Sequence, residues 1–174
     1  MPPVNLKSVW TIVLSGSVAT IVFDFFGQSF TPMLGLPGLA PVPLANAVIE
    51  SVFGAPYPPG ANLLHYLAGI VAYPVGWMFF AEPLSRRLTP GLPWWGAAAA
   101  YGVGLWVFAL YVLAHLVAGS PAFLGFSGIT WVALVGHILF ALVAAAIIRW
   151  REVGVTEEMS SPLAQRGHAA HARR

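Results

Sequence analysis

The chain contains no cysteine, and this absence excludes disulfides, thiolate metal sites and cysteine nucleophiles. Charged residues are also scarce: they make up 8% of the 174 residues, whereas a soluble domain usually carries about 25%. Hydrophobic residues account for 58% of the chain, and the mean hydropathy is +0.77. This composition is typical of a polytopic membrane protein and leaves little chain for a separate soluble domain.

Long apolar runs are abundant, and four of them reach the roughly 20 residues that a membrane-spanning helix needs. The predicted spans are Trp10–Phe30, Asn62–Phe80, Trp94–Ala118 and Gly128–Trp150. We therefore predict an all-α polytopic membrane protein, with a four-transmembrane-helix bundle over residues 1–150 and a polar cytoplasmic tail over residues 151–174. The first run is longer than the apolar core of a cleavable signal peptide, so we expect it to be retained as a helix.

Basic residues are absent from two predicted loops, Thr31–Ala61 and Gly119–Ser127. With four spans, all eight fall on the side of the termini and the middle loop: Lys7, Arg86, Arg87, Arg149, Arg151, Arg166, Arg173 and Arg174. The positive-inside rule therefore predicts that both termini are cytoplasmic. Nothing in this distribution indicates nucleic-acid binding.

The first of these loops, Thr31–Ala61, is long, apolar and rich in proline, and Glu50 is its only charged residue. Proline suits the first turn of a helix and glycine its C-terminal stop. Pro43 and Gly54 therefore predict a short helix over Pro43–Phe53, lying at the outer membrane interface or re-entering the membrane. A loop packed over the ends of the spanning helices is the alternative.

Proline also sets expectations within and beside the spans. The first span is expected to end before Thr31-Pro32, because the residue before a proline disfavours helical backbone. Pro74 is expected to kink the second span. Three prolines within Ala81–Pro93 predict a tight connector on the cytoplasmic side.

The first span carries a polar stripe. Ser17, Thr20, Asp24 and Gln28 are spaced at i, i+3, i+7 and i+11, which places them on one face of a helix. A carboxylate among apolar residues is costly in a membrane, and such a group usually faces a protein interior or an aqueous cavity and has a partner. We therefore expect the Asp24 side chain to meet a polar group on another helix.

Three histidines complete the ionisable groups that lie deep within the spans: His65, His115 and His137. By helical rise, these and Asp24 lie roughly 5–14 Å inside the outer ends of four different helices. Because each alone would be an unsatisfied polar group in hydrocarbon, they are predicted to share one pocket. The polar residues predicted to support this pocket are Ser17, Thr20, Gln28, Tyr111 and Thr130.

The chemistry of this predicted pocket has several alternatives. Three imidazoles and a carboxylate are a suitable ligand set for a metal ion, whose identity the sequence does not indicate. Two histidines are also suited to ligating a b-type haem, and an Asp–His cluster is suited to taking up protons or a polar ligand. Alternatively, each histidine is structural and bonds a backbone carbonyl. No local ligand spacing such as His-x₃-His is present.

Some features of the chain resemble a known family. Asp24 in the first helix, His65 after a long apolar loop, and the run Val135-Gly-His-Ile-Leu-Phe in the fourth helix resemble the YagU-like family of small, uncharacterised bacterial inner-membrane proteins. The resemblance covers Ser8–Trp150. It implies a location in the bacterial plasma membrane and supplies no activity.

Enzyme motifs are absent as well. The sequence has no hydrolase signature, glycine-rich phosphate loop or paired-carboxylate arrangement, so it identifies no enzymatic activity. The leading prediction is an accessory or interaction subunit of a larger membrane assembly, whose partners are the lipid bilayer and other membrane subunits or a second copy. The alternative is a metal-, haem- or proton-binding membrane protein that uses the Asp/His cluster.

Overall fold

The computed structural model describes residues 5–160, with side chains through residue 151, and every regular element in that part of the chain is a helix. In chain order the main helices are α1 (Leu6–Met33), α2 (Pro41–Phe53), α3 (Pro58–Leu88), α4 (Trp94–Val117) and α5 (Gly128–Ser160). By length and composition, α1, α3, α4 and the first part of α5 (Gly128–Arg151) are able to cross a membrane. The predicted all-α fold with four such helices is therefore confirmed. The predicted polar tail begins within α5, and its residues 161–174 lie outside the described residues.

Prolines lie inside the long helices without ending them. Each is preceded by a five-residue π-helical turn: Phe26–Phe30 before Pro32, Ala68–Ala72 before Pro74, and Trp77–Ala81 before Pro83. In each case the residue just before the proline donates its N–H to the carbonyl five residues back. Such π turns accommodate a residue that lacks an N–H and crowds the carbonyl four residues back.

These π turns correct two expectations. Helix α1 does not end before Thr31 but continues to Met33, and the Thr31 hydroxyl bonds the carbonyl oxygens of Gly27 and Pro37. Residues 81–93 are not only a connector, because α3 continues through Pro83 to Leu88. The rule that the residue before a proline disfavours helical backbone holds for a regular α-helix. It does not hold for the wider π turns found here.

The predicted helix in the long loop is confirmed as α2, which begins two residues earlier than expected. Gly54 ends it with a left-handed backbone (φ +81°), the conformation that favours glycine at this position. The side-chain oxygen of Asn46 accepts a hydrogen bond from the Tyr57 N–H at 2.9 Å, which links α2 to the start of α3. Helix α2 packs against that start and against the last turns of α4.

The four long helices pack side by side, and buried clusters at successive levels show that neighbours along the chain run in opposite directions. One cluster contains Ile12, Trp77, Ala98 and Ile148. A second contains Ala19, Phe23, Leu105, Phe140 and Ala144, and a third contains Trp106, Ala109, Leu110 and Ala133. We call the end near the first cluster the termini end. The opposite end, which carries residues 34–57 and 118–127, is the long-loop end.

Glycine allows two pairs of helices to approach closely. A Cβ atom at Gly102 of α4 would lie 2.6 Å from the Cα of Ile138 in α5. Between α1 and α3, a Cβ at Gly16 would overlap the Ile70 carbonyl oxygen, and one at Gly69 would overlap the Thr20 hydroxyl. Small residues at such contacts are a common way for membrane helices to pack.

The connection from α4 to α5 contains a left-handed turn. Phe123, Leu124 and Phe126 have φ values of 49°, 53° and 53°. This conformation costs roughly 1–2 kcal/mol for each residue that has a side chain. The turn is held in place by the Thr130 hydroxyl, which donates to the Phe123 carbonyl, and by the Trp106 ring, whose centre lies 4.7 Å from that of Phe123.

Candidate functional site

Asp24 on α1 and His65 on α3 are direct partners. The His65 Nε2 lies 3.0 Å from Oδ1 and 3.3 Å from Oδ2 of Asp24, and the two side chains are 12% and 22% exposed respectively. Gln28, one turn further along α1, donates its side-chain N–H to Oδ1 at 2.8 Å. The expectation that Asp24 meets a polar group on another helix is therefore confirmed.

The Asp24–His65 pair lies away from the ends of α1 and α3. By helical rise, Asp24 is roughly 14 Å from the Met33 end of α1, and His65 is roughly 10 Å from the Pro58 end of α3. The pair therefore occupies the half of the molecule nearer the long-loop end.

An open groove of about 590 Å³ runs between α1 and α3, and Asp24 lies on its wall. Helix α1 lines it with the whole predicted polar stripe and with Ser29, while α3 contributes Tyr66 and Ile70. Because the lining extends from Ser17 to Ser29, roughly 18 Å along α1, the groove follows the side of the bundle. The prediction that the four polar residues of α1 share one face is confirmed.

Thr20 is the one polar residue of the stripe that is almost fully buried, at 3% exposure. Its hydroxyl oxygen has no hydrogen-bond partner among the described residues, although it lines the groove and contacts Gly69. Most buried polar groups are paired in native structures, so an unpaired one calls for an explanation. Here the hydroxyl oxygen has almost no accessible surface and lies against Gly69, inside the contact between α1 and α3.

Two of the proline-linked π turns border this groove. Gln28 and Ser29 belong to the turn Phe26–Phe30 of α1, and Ile70 belongs to the turn Ala68–Ala72 of α3. Such π turns within α-helices often occur at functional sites. Together with the unpaired Thr20 hydroxyl, they single out this side of the molecule.

Tyr66 and Ser29 are groove residues that sequence reasoning missed. The Tyr66 ring centre lies 5.1 Å from that of His65, and the side chain is 47% exposed. The available signal was adjacency in the chain, since Tyr66 follows His65. Ser29 follows Gln28 and does not fit the regular α-helical spacing of the stripe. It reaches the groove because it belongs to the wider π turn Phe26–Phe30.

His137 is part of the contact between α4 and α5. It is 7% exposed, and its Nδ1 lies 2.7 Å from the Ala133 carbonyl oxygen one turn earlier. Its ring packs edge-on against Phe23, with the centres 5.1 Å apart. Thr130 on the same face is fully buried. These contacts match the alternative that a histidine bonds a backbone carbonyl.

His115 lies at the last turn of α4. Its Nδ1 is 2.7 Å from the Ser120 carbonyl oxygen, and its ring is 5.4 Å from that of Tyr111. The structure thus joins Asp24 to His65 and places His115 and His137 on separate backbone partners, so the prediction of one pocket shared by all four is wrong. Among the described residues, no group of three histidine, aspartate or glutamate side chains is arranged to hold a metal ion.

The fold and the groove define a class of protein: over its described residues it is helical, with four helices able to cross a membrane and, along one side, a cleft that mixes polar and apolar side chains. Comparison with protein-family models, curated proteins and solved structures finds no match. The resemblance to the YagU-like family therefore stays a prediction.

Proposed function

We propose that this protein is a membrane-embedded interaction subunit that binds a transmembrane helix of a partner protein in the groove between α1 and α3. The observation that carries the proposal is the groove itself, a cleft along the side of the bundle in which polar side chains lie among apolar ones. Its walls present the Asp24 carboxylate, the Gln28 amide and hydroxyl groups. These are the groups through which helices bind one another within a bilayer.

The surface at the termini end supports a membrane location. Large aromatic side chains are exposed there, with Trp10 at 60%, Trp95 at 58% and Trp150 at 71%. Tryptophan is enriched where helices meet the membrane–water interface. The basic residues of the helices also belong to this end, which supports a cytoplasmic location for both termini. With the resemblance stated above, we propose the bacterial inner membrane.

In that location the groove is an unfavourable surface for lipid tails. Gln28 and Ser29 are exposed, and the Asp24 side chain is only partly covered. A polar group that faces hydrocarbon without a partner costs roughly several kcal/mol. A partner helix with hydroxyl or amide side chains lowers this cost by bonding the groups that Ser29, Asp24 and Gln28 leave open to the groove.

The shape of the groove favours a different protein over a second copy. In a twofold dimer the same surface meets itself. Two copies of a concave groove do not fill one another, and the symmetry would bring two Asp24 carboxylates toward the same axis. A single protruding helix fits between α1 and α3 without either conflict.

The test is photocrosslinking in native membranes. A benzoylphenylalanine replaces Ile21, which lines the groove and is 67% exposed. The control replaces Val103 on α4, which is 39% exposed, outside the groove and at a similar depth. We expect a discrete adduct from Ile21 and none from Val103, with the crosslinked residue in a transmembrane segment of a second protein.

The polar stripe provides the matched variants. Asp24→Asn and Gln28→Leu should each reduce the Ile21 adduct severalfold while the protein level stays constant, because a helix bound by its polar groups loses those contacts. Adducts with lipid alone, or a homodimer adduct that these variants leave unchanged, would contradict the proposal.

A second candidate function is reversible protonation at the Asp24–His65 pair. The 3.0 Å contact between His65 Nε2 and Asp24 Oδ1, beside an open groove, favours it over a metal or haem site. Intramembrane Asp/His pairs are common elements of proton relays.

Infrared difference spectroscopy tests this second candidate. We expect a carboxyl band that changes when the pH is stepped, disappears in Asp24→Asn and shifts in His65→Gln. His137→Gln is the control, because that side chain bonds only the backbone within the described chain. A spectrum that Asp24→Asn leaves unchanged would refute proton uptake at this pair.

A further inference from the structure

The groove between α1 and α3 contains a carboxylate that no basic residue of the described chain approaches. Among the residues that line the groove, Asp24 is the one that is able to carry a charge at neutral pH. Sequence positions 8–85 and 88–148 contain no lysine or arginine. By helical rise, Lys7 near the start of α1 is roughly 25 Å from Asp24. The described basic side chains therefore belong to the termini end, and none lies at the depth of Asp24.

The hydrogen-bond partners of His65 match a neutral ring. Its Nε2 lies 3.0 Å from Oδ1 of Asp24 and donates to the carboxylate. A neutral imidazole has only one N–H, whereas a protonated ring has a second one at Nδ1 that needs an acceptor. Nδ1 has no hydrogen-bond partner among the described residues, and the side chain is only 12% exposed. These partners assign the neutral Nε2–H tautomer, so the pair keeps the negative charge of Asp24.

The Asp24 carboxylate also has acceptor capacity left. Oδ1 accepts from Gln28 at 2.8 Å and lies 3.0 Å from His65 Nε2. Oδ2 meets only the same His65 nitrogen among the described residues, at 3.3 Å. Because one N–H serves both oxygens, Oδ2 has the weaker share of a single hydrogen bond. The side chain is 22% exposed and lines the groove, so a donor that enters the groove is able to reach the carboxylate.

Exposed aromatic side chains accompany the carboxylate. Phe25 is 61% exposed and Tyr66 is 47% exposed, and both line the same groove as Asp24. The face of an aromatic ring attracts a cation within about 6 Å, most strongly where water is excluded. A carboxylate with aromatic rings in the same cleft suits an ammonium or guanidinium group better than a neutral hydrogen-bond donor.

We propose that the partner helix bound in the groove carries a basic side chain, lysine or arginine, that pairs with Asp24. This inference rests on the proposed function, because it names the residue by which that helix is recognised. A charged residue at this depth is costly on either helix alone, and charges within a membrane therefore usually pair with one another. Pairing lowers the cost on both helices and selects against helices whose side chains are neutral or acidic at this level.

The first stage of the test uses the Ile21 photoadduct of the full chain in native membranes. Mass spectrometry locates the crosslinked residue in the partner. Because Ile21 and Asp24 are about one turn apart on α1, we expect a lysine or arginine within about two turns, roughly 11 Å, of that residue. A crosslinked transmembrane helix without a basic residue in that stretch overturns this inference and leaves the interaction subunit standing. Adducts with lipid alone overturn both.

The second stage measures whether charge decides the binding. The crosslinked segment is synthesised as a peptide with its own basic residue, with glutamine and with glutamate at that position. Each peptide is titrated in liposomes against the full chain, and the Ile21 adduct reports the peptide-to-lipid ratio at half-saturation. We expect the basic peptide to saturate at a ratio about tenfold lower than the glutamine peptide, as for one hydrogen bond between charged groups. The glutamate peptide should bind most weakly.

Asp24→Asn is the decisive variant, and Ser29→Ala is its control. Asparagine keeps the shape of the aspartate without its charge, so the basic and glutamine peptides should then bind within about twofold of each other. Ser29 also lines the groove and is exposed, but it is uncharged, so its variant should keep the tenfold preference. The readout compares two peptides on the same protein, so a lower yield of folded Asp24→Asn does not change it.

Two results of the second stage would overturn the inference. One is a wild-type chain that binds the basic and glutamine peptides equally, which means that the groove recognises hydrogen bonds and not charge. The other is a preference for the basic peptide that Asp24→Asn retains. The order of the three peptides on the wild-type chain needs no variant, so it decides even where Asp24→Asn does not fold.

Discussion

Two pairs of helices approach closely: α4 with α5, and α1 with α3. The two contacts differ in whether their polar groups have hydrogen-bond partners. Between α4 and α5, the buried polar side chains of the described residues are paired within the chain. The Trp106 indole N–H donates to the Thr130 carbonyl at 3.0 Å, and the Thr130 hydroxyl donates to Phe123. His137 bonds Ala133. This region is internally complete.

The contact between α1 and α3 is incomplete. The Thr20 hydroxyl is buried and unpaired, and Gln28 is exposed beside Asp24. In the most apolar window of α3, 22% of residues are buried, against 50% in that of α5. Polar groups that are paired within the chain stabilise the fold, whereas polar groups that are exposed along the side of the bundle indicate a binding surface. The following predictions test this distinction.

The largest effect is expected for Gly102→Ala, in the complete region. The added methyl would lie 2.6–2.9 Å from backbone atoms of His137 and Ile138, which cannot move without displacing α5. We expect a loss of about 2–3 kcal/mol in the free energy of unfolding, measured by denaturant titration in detergent. Gly104→Ala is the control, because its methyl meets no atom within 4 Å. Equal losses at both positions would contradict tight packing at Gly102.

The next effect concerns Gly69→Ala in the incomplete region. Its methyl would overlap the Thr20 hydroxyl, and we expect a loss of about 1–2 kcal/mol. Here the obstacle is a side-chain atom, so removing it should help. The double variant Thr20→Ala/Gly69→Ala should recover most of the loss in a double-mutant cycle. Additive losses would show that backbone contact, not the hydroxyl, limits the approach of α1 to α3.

A smaller effect is expected for the same substitution made in both regions. Thr130→Ala removes the donor that pairs the Phe123 carbonyl and should lower the free energy of unfolding by about 1.5 kcal/mol. Thr20→Ala removes a hydroxyl without a partner in the described chain, so it should cost about 0.5 kcal/mol or less. If the two variants lose equal stability in the same titration, the distinction between complete and incomplete regions fails.

Much of this architecture follows from hydropathy alone. The four spans and the short helix after Pro41 follow from apolar length and from proline and glycine at the helix ends. The polar stripe from Ser17 to Gln28 follows from helical periodicity. For Asp24, the sequence predicts a polar partner on another helix but not which residue it is. Spacing within one helix does not determine which residue of a neighbouring helix its side chains contact.

Other features depend on packing that the sequence does not display. Depth alone suggested that Asp24 and the three histidines within the spans share a pocket, but the faces of α4 and α5 turn His115 and His137 toward backbone carbonyls. Pro32 and Pro83 were expected to mark a helix end and a connector, but π turns carry α1 past Pro32 and α3 past Pro83. A rule written for regular helices cannot predict a turn that changes the hydrogen-bond register.

The smallest effect on stability, and the most informative for function, is expected for Gln28→Leu. Gln28 is exposed, and Asp24 keeps its contact with His65 when the amide is removed. The free energy of unfolding of the isolated protein should therefore change by about 0.5 kcal/mol or less. The Ile21 photoadduct, by contrast, should fall severalfold. Phe30→Leu, exposed on the same turn but outside the groove lining, should leave both unchanged. A Gln28→Leu protein that is much less stable yet still forms the adduct would contradict this prediction. The polar stripe would then stabilise the fold and not bind a partner. The two regions would differ only in how much their polar groups contribute to stability.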